Sequence, residues 1–138
     1  MIKDCHVGIK GIVFANNQCL VLQKGFGDDA FWEVPGGRID DTETLHETLK
    51  RELREELPTM GGFSIGELAG AYRLNRDLEG ERALVLIFYT VETEMFEIVL
   101  SAEHSDYKWI SKETLSELQN GTTAINDELY GLLKKVLS

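Results

Sequence analysis

The order of patterned segments along the chain predicts an α+β fold. Three observations carry this expectation. β-rich runs cluster at the start, one strongly amphipathic helix follows a glycine loop, and apolar runs then mix with two helical segments. The 138 residues fit one domain, 1–138, with enough chain to bury a core.

Val7 to Phe14 and Gln18 to Gln23 are β-rich, and Ala15, Asn16 and Asn17 between them predict a hairpin with a tight turn. Gly25 to Ala30 reads as a polar loop. Phe31 to Val34 reads as a short strand entering a permissive loop at Pro35, Gly36 and Gly37. A helix comes next. Thr44, with Glu47 three residues on, fits a capping box, and Asp40 and Asp41 sit where the helix start favours negative charge. Leu45, Leu49, Leu53 and Leu57 form one apolar stripe that must face the core. Pro58 stops the helix and pushes Leu57 out of the α region, and Gly61 and Gly62 supply a flexible turn after it.

Phe63 to Leu74 is a longer strand whose glycines favour a bulge. Asn75 to Glu81 reads as a turn. Ala83 to Glu92 is the most hydrophobic run and predicts a central strand, Phe96 to Leu100 an edge strand, and Tyr107 to Ile110 another short strand. Helices are expected over 111–119, starting at Ser111, and over Ile125 to Leu137, where Leu129, Leu132, Leu133 and Val136 keep helical spacing.

The formal net charge is −10, which disfavours binding to a long nucleic acid. It leaves a small polyphosphate open, because a bound cation locally reverses the field. The sequence shows no run long enough to span a membrane and no basic-then-apolar leader, so a cytoplasmic protein without a membrane partner is expected. Cys5 and Cys19 lack metal-ligand spacing and are expected as reduced thiols. A homodimer through a sheet edge or the last helix stays open.

The chemistry concentrates on the first helix. Glu52, Glu55 and Glu56 stand at i, i+3 and i+4 and share a face. Three carboxylates so placed repel each other unless a cation sits among them, and a hard divalent ion takes oxygen ligands. On the helical wheel Glu56 falls between Leu45 and Leu49, and Glu52 beside Leu45, so two carboxylates point toward the protein body. Glu55 lies further round, near Thr48. Burying an unpaired carboxylate is costly. The same charges also fit a solvated acidic helix with Glu47–Arg51 and Arg51–Glu55 pairs. His46 reads as a surface residue, since hard cations prefer oxygen.

Gly37, five residues, Glu43, seven residues, Arg51-Glu52-Leu53, one residue, then Glu55-Glu56 resembles the Nudix box of the Nudix hydrolases, over about residues 37–59. The chain departs from that pattern at Pro58 and Thr59, where the family carries Gly and an apolar residue. The resemblance implies a mixed sheet sandwiched between helices over most of the chain. It also implies metal-dependent hydrolysis of a phosphoanhydride in a nucleoside diphosphate linked to another moiety. The implied metal ligands are Glu52, Glu55, Glu56 and the carbonyl of Gly36, with Mg2+ as the ion and Mn2+ as a substitute.

Glu103, in a loop ahead of Tyr107 and Trp109, is expected as a further ligand or as the base. Asp106 is the weaker substitute, and Trp109 is expected in the core. The base is Glu52, Glu55 or Glu103. Glu43, Arg51 and Gly37 support the site, with the Arg51 fork pairing to Glu43. Arg38, Arg73, Arg76 and Arg82 are candidate phosphate or ribose contacts, though ordinary surface salt bridges fit each of them better. Phe26, Phe31, Trp32 and Tyr72 are candidates for stacking on a base, with Trp32 alternatively in the core. The expected substrate is a small nucleoside triphosphate cut by a MutT-like pyrophosphohydrolase. ADP-ribose, nucleotide sugars and dinucleoside polyphosphates are the alternatives, as is a regulatory module that binds a nucleotide without cutting it.

Overall fold

A computed structural model describes residues 4–74 and 82–138. The expected turn at 75–81, and Arg76 within it, lie outside the described residues. The first strands are β1 (Asp4–Ala15) and β2 (Gln18–Lys24), joined through Asn16 and Asn17 at φ 50° and 61°. Two successive positive φ values are what a two-residue hairpin loop requires, and asparagine tolerates them better than most residues. Next come β3 (Phe31–Glu33), β4 (Gly36–Arg38) and helix α1 (Leu45–Glu56). Strands β5 (Phe63–Arg73), β6 (Arg82–Thr93) and β7 (His104–Ile110) follow, then α2 (Glu117–Asn120), β8 (Ala124–Ile125) and α3 (Asp127–Leu137).

Among the described residues, eight strands join one mixed sheet, whose main path runs β5-β6-β1-β2-β3-β8. β1 lies parallel to β6 from Asp4↔Arg82 to Phe14↔Glu92, which puts the hydrophobic β6 in the interior of the sheet, against β5 on its other side. The register of β5 shifts between Ile65 and Leu68 and again between Leu68 and Gly70, the irregularity its glycines favoured. On its other edge β1 pairs first with β4 and then, at its end, with β2. β2 in turn carries β3 on one edge and β7 on the other.

Alternation along the strands sends side chains to two cores. Ile9, Val13, Leu20, Leu22 and Val91 pack with Leu49, Leu53 and Leu57 of α1. Ile12, Cys19, Val21, Leu86 and Phe88 pack on the other face with Leu118 of α2 and Leu129 and Leu133 of α3. The sheet is therefore covered by helices on both faces, as the resemblance implied. Cys19 is fully buried and its thiol is pushed up to about 12 by burial, while Cys5 is exposed and both are free thiols. Among the described residues, no helix is long and apolar enough to cross a membrane.

Three expectations are corrected. Phe96–Leu100 forms no strand. Its alternation is real, because Phe96, Ile98 and Leu100 pack against the α1 core. However, the backbone runs beside a helix end, where Thr59 Oγ1 donates to the Glu97 carbonyl at 2.5 Å. Alternation records one buried face, not a ladder partner. The helix expected over 111–119 shrinks to Glu117–Asn120. Ahead of it Ser111 and Thr114 bond each other's backbone through their hydroxyls, an alternative that competes with helix formation. The glycine loop after Pro35 is itself a strand, β4, hydrogen-bonded into the edge of β1.

Candidate active site

Helix α1 starts at Thr44, whose hydroxyl accepts the Glu47 N–H at 3.1 Å while the Thr44 N–H donates to the Glu47 carboxylate at 3.0 Å. It stops at Leu57, which leaves the helix at φ −125° and ψ 67°. Pro58 enforces that exit. Neither Gly61 nor Gly62 adopts a positive φ, so the helix ends on the proline and not on a left-handed glycine cap. With both ends fixed, the carboxylates take definite places. Glu56 is 6% exposed, the Glu52 side chain 18% and the Glu55 side chain 60%.

Strand β4 meets this helix through two glycines. Gly36 sits at φ 146°, where a β-carbon would collide with the Ile9 carbonyl and the Lys10 stem. Its N–H donates to Glu56 Oε2 at 2.7 Å. At Gly37 a β-carbon would occupy the space held by the Glu52 carboxylate. The backbone of β4 therefore approaches both carboxylates as closely as only glycine allows.

Arg51 organises the outer side. Its Nε and Nη2 donate to the two Glu43 oxygens at 2.8 and 2.9 Å, its Nη1 donates to Glu52 at 2.9 Å, and Nη1 lies 3.6 Å from Glu55. Hydrogen bonds from Arg51 hold the Glu43 carboxyl below its ordinary range, outweighing burial. Thr48, fully buried, also donates to Glu43 at 3.1 Å. Glu47 is committed to the cap, so the i,i+4 pair of Arg51 forms with Glu55 alone.

Beneath the carboxylates lies a group that sequence reasoning assigned no role. His104, its side chain fully buried, places Nε2 at 2.8 Å from Glu33 Oε2 and 3.9 Å from Glu56 Oε1. Its Nδ1 lies 3.3 Å from the Ser101 hydroxyl. Lys10 Nζ donates to the other Glu33 oxygen at 3.3 Å. Burial would raise the Glu33 pKa, but the His104 bond and the charges of Lys10 and Lys24 outweigh it and hold the carboxyl below its usual value. Glu56 goes the other way. Burial pushes it from 4.5 up to about 7, against the opposing pull of Lys10, the Gly36 N–H and His104. The sequence did carry a faint signal for this group, namely a lysine and a glutamate each set within an apolar strand, at Lys10 and Glu33.

These residues open onto a cavity of about 740 Å³. Its polar lining comprises Lys10, Glu33, Gly36, Gly37, Arg38, Glu52, Glu56 and Glu103. Its apolar lining includes Tyr72, Leu74, Leu84, Leu86, Phe88 and Leu129, with Tyr72 stacked on Phe88 at 5.2 Å between ring centroids. Phe31 lines it half-buried, and Trp32 lines it from the core, 5% exposed, with the Lys108 ammonium 5.5 Å from the ring centroid. Glu55 is exposed beside the cavity and is not among its lining residues. Arg73 is exposed on β5 and Phe26 is 72% exposed in its loop, both outside the lining. Asp106 accepts its neighbour's N–H at 2.8 Å on β7 and does not reach the cavity. His46 is exposed and meets Tyr89 edge-on, while Trp109 is half-buried against Phe96.

The donors suit a hard divalent ion. The lining carries six acidic side chains, Asp28, Asp29, Glu33, Glu52, Glu56 and Glu103, against three basic ones, Lys10, Lys24 and Arg38. Glu56 is buried enough to resist ionising alone. Carboxylate oxygens beside one backbone strand form the donor set such an ion takes.

The NUDIX domain family model matches residues 6–131. An RNA pyrophosphohydrolase of Wolbachia sp. subsp. Brugia malayi (strain TRS) is 41% identical over 58 residues, 41% of this chain and 36% of that protein. An 8-oxo-dGTP diphosphatase of Proteus vulgaris is 35% identical over 57 residues, 40% of this chain and 51% of that protein. The matches thus span about a third to a half of these relatives' lengths. The crystal structure of a MutT protein from Methanosarcina mazei Go1 superposes with TM-score 0.76 at 20% identity, covering 98% of this chain and 94% of that one, and shares its fold.

Proposed function

From the premise that this chain belongs to the NUDIX domain family, we propose that it hydrolyses a phosphoanhydride bond of a small nucleoside triphosphate, using Mg2+, or Mn2+ in its place. The observation that carries this reading is the cavity's mixed lining. Carboxylates and a glycine strand line it together with the stacked Tyr72 and Phe88 rings. A molecule with a charged phosphate chain and a flat apolar base matches that combination.

Glu52, Glu55, Glu56, Glu103 and the Gly36 carbonyl would hold the ions, which when bound neutralise phosphate oxygens and lower the pKa of a bound water. The protein's own contributions are distinct. Glu43 holds Arg51, and Arg51 holds Glu52 and Glu55 at fixed bearings. Gly36 fixes Glu56 through its N–H. Glu52, Glu55 or Glu103 takes the proton of the attacking water. Arg38 and Phe31 line the same cavity, where Arg38 would meet the phosphates and Phe31 the base.

The test is a panel of nucleoside triphosphates, oxidised nucleotides, ADP-ribose, nucleotide sugars and dinucleoside polyphosphates, incubated with Mg2+ and analysed by mass. Cleavage of triphosphates that chelator abolishes supports the reading. Cleavage of ADP-ribose or nucleotide sugars alone reassigns the substrate, and binding without cleavage makes the chain a regulatory module.

A further inference from the structure

Lys10 of β1 and Glu33 of β3 line the cavity, and His104, buried at the start of β7 and outside that lining, meets Glu33 from behind. The nearest ligand atoms of Glu33, Glu56 and His104 lie within 4.8 Å of one another, which would itself fit a metal ion. The bonding argues otherwise. One Glu33 oxygen takes His104 Nε2 at 2.8 Å and the other takes Lys10 Nζ at 3.3 Å, so the carboxylate is already satisfied at both ends. A carboxylate clamped between a cation and an imidazole orients its partners.

Those partners are tied to the proposed ligands. His104 follows Glu103 directly, and the turn that presents Glu103 closes with the His104 N–H on the Ser101 carbonyl at 3.2 Å. The His104 ring adds a second tie to the same turn through the Ser101 hydroxyl at 3.3 Å. On its far side His104 Nε2 faces Glu56 Oε1 at 3.9 Å. The carboxylate that holds the His104 ring is thus one contact away from both the Glu103 turn and the buried Glu56.

We propose that Glu33, braced by Lys10, is a positioning residue that locks the His104 ring and through it sets where Glu103 and Glu56 stand toward the metal ions. This rests on the metal-dependent function proposed above.

The test compares wild type with Glu33→Gln and His104→Gln, and with a Lys10→Met/Glu33→Gln pair that removes both buried charges together should a single change unfold. Mn2+ binding without nucleotide is followed by electron paramagnetic resonance, alongside melting of the metal-free protein and steady-state kinetics. Folded variants are expected to bind Mn2+ about tenfold more weakly and to lose about tenfold in kcat at saturating metal, with nucleotide KM within about twofold. Of the two single variants, His104→Gln, which keeps an N–H toward Glu33, is expected to recover part of the loss. Folded variants with Mn2+ affinity and kcat within about twofold of wild type would overturn the inference alone. A wild-type protein that neither binds Mn2+ nor cleaves any nucleotide would remove the proposed function, and this inference with it.

Discussion

The carboxylate of Glu52 rests against the backbone of Gly37, in the space a β-carbon would need. Glycine here therefore sets the position of an acidic side chain on another element. Gly37→Ala should push Glu52 off its bearing while leaving the sheet intact. Displacement on the ångström scale in such a site costs about a hundredfold in turnover. Steady-state kinetics beside a thermal melt would check this, and wild-type turnover in the variant would show that Glu52's place is not critical.

Glu55 is the most exposed of the three helix carboxylates, and Arg51 Nη1 lies 3.6 Å from it. Glu55→Gln should therefore leave the fold unchanged and cut turnover by about a hundredfold or more. Near-normal activity would remove Glu55 from the mechanism. Glu103→Gln is expected to cost less, as for a residue that assists a metal ion. An equal or larger loss would instead mark Glu103 as the base.

Arg51 grips Glu43 with two parallel hydrogen bonds and reaches Glu52 with a third. Lysine keeps the charge but cannot present that fork. Arg51→Lys should lower kcat about tenfold through misplaced Glu52 and Glu55. The loss should appear in metal dependence as well as rate, which a titration of activity against Mg2+ would reveal.

Burial pushes Glu56 from 4.5 to about 7. Between those values the folded, metal-free protein keeps a proton that the unfolded chain has released. Its stability contribution therefore falls as pH rises through that window. Melts in chelator should show wild type losing stability from pH 5.5 to 8 more steeply than Glu56→Gln, whose amide still accepts the Gly36 N–H. Adding Mg2+ should stabilise wild type more at pH 8 than at pH 6, and the variant little at either. Parallel pH profiles for the two proteins would show that Glu56 does not titrate in this range.

What the sequence determined by itself was local. The capping box at Thr44 and Glu47, the leucine stripe, the proline stop and the i, i+3, i+4 carboxylates depend on residues within a few positions of each other. Helical geometry converts such spacing directly into direction. The hairpin at Asn16 and Asn17 was legible for the same reason. Phe96–Leu100 shows the limit, since its alternation records a buried face but not what lies beside the backbone. The tertiary structure alone decided how deep each carboxylate lies and what meets it. Glu33 and His104 are 71 positions apart, and they touch because β3 and β7 flank β2 on opposite edges. Gly36 reaches Glu56 across 20 positions because β4 pairs with β1 under the helix. Strand partners and registers are set by the packing of the whole sheet. The Lys10–Glu33–His104 cluster, drawn from β1, β3 and β7, therefore exists only once the sheet has formed.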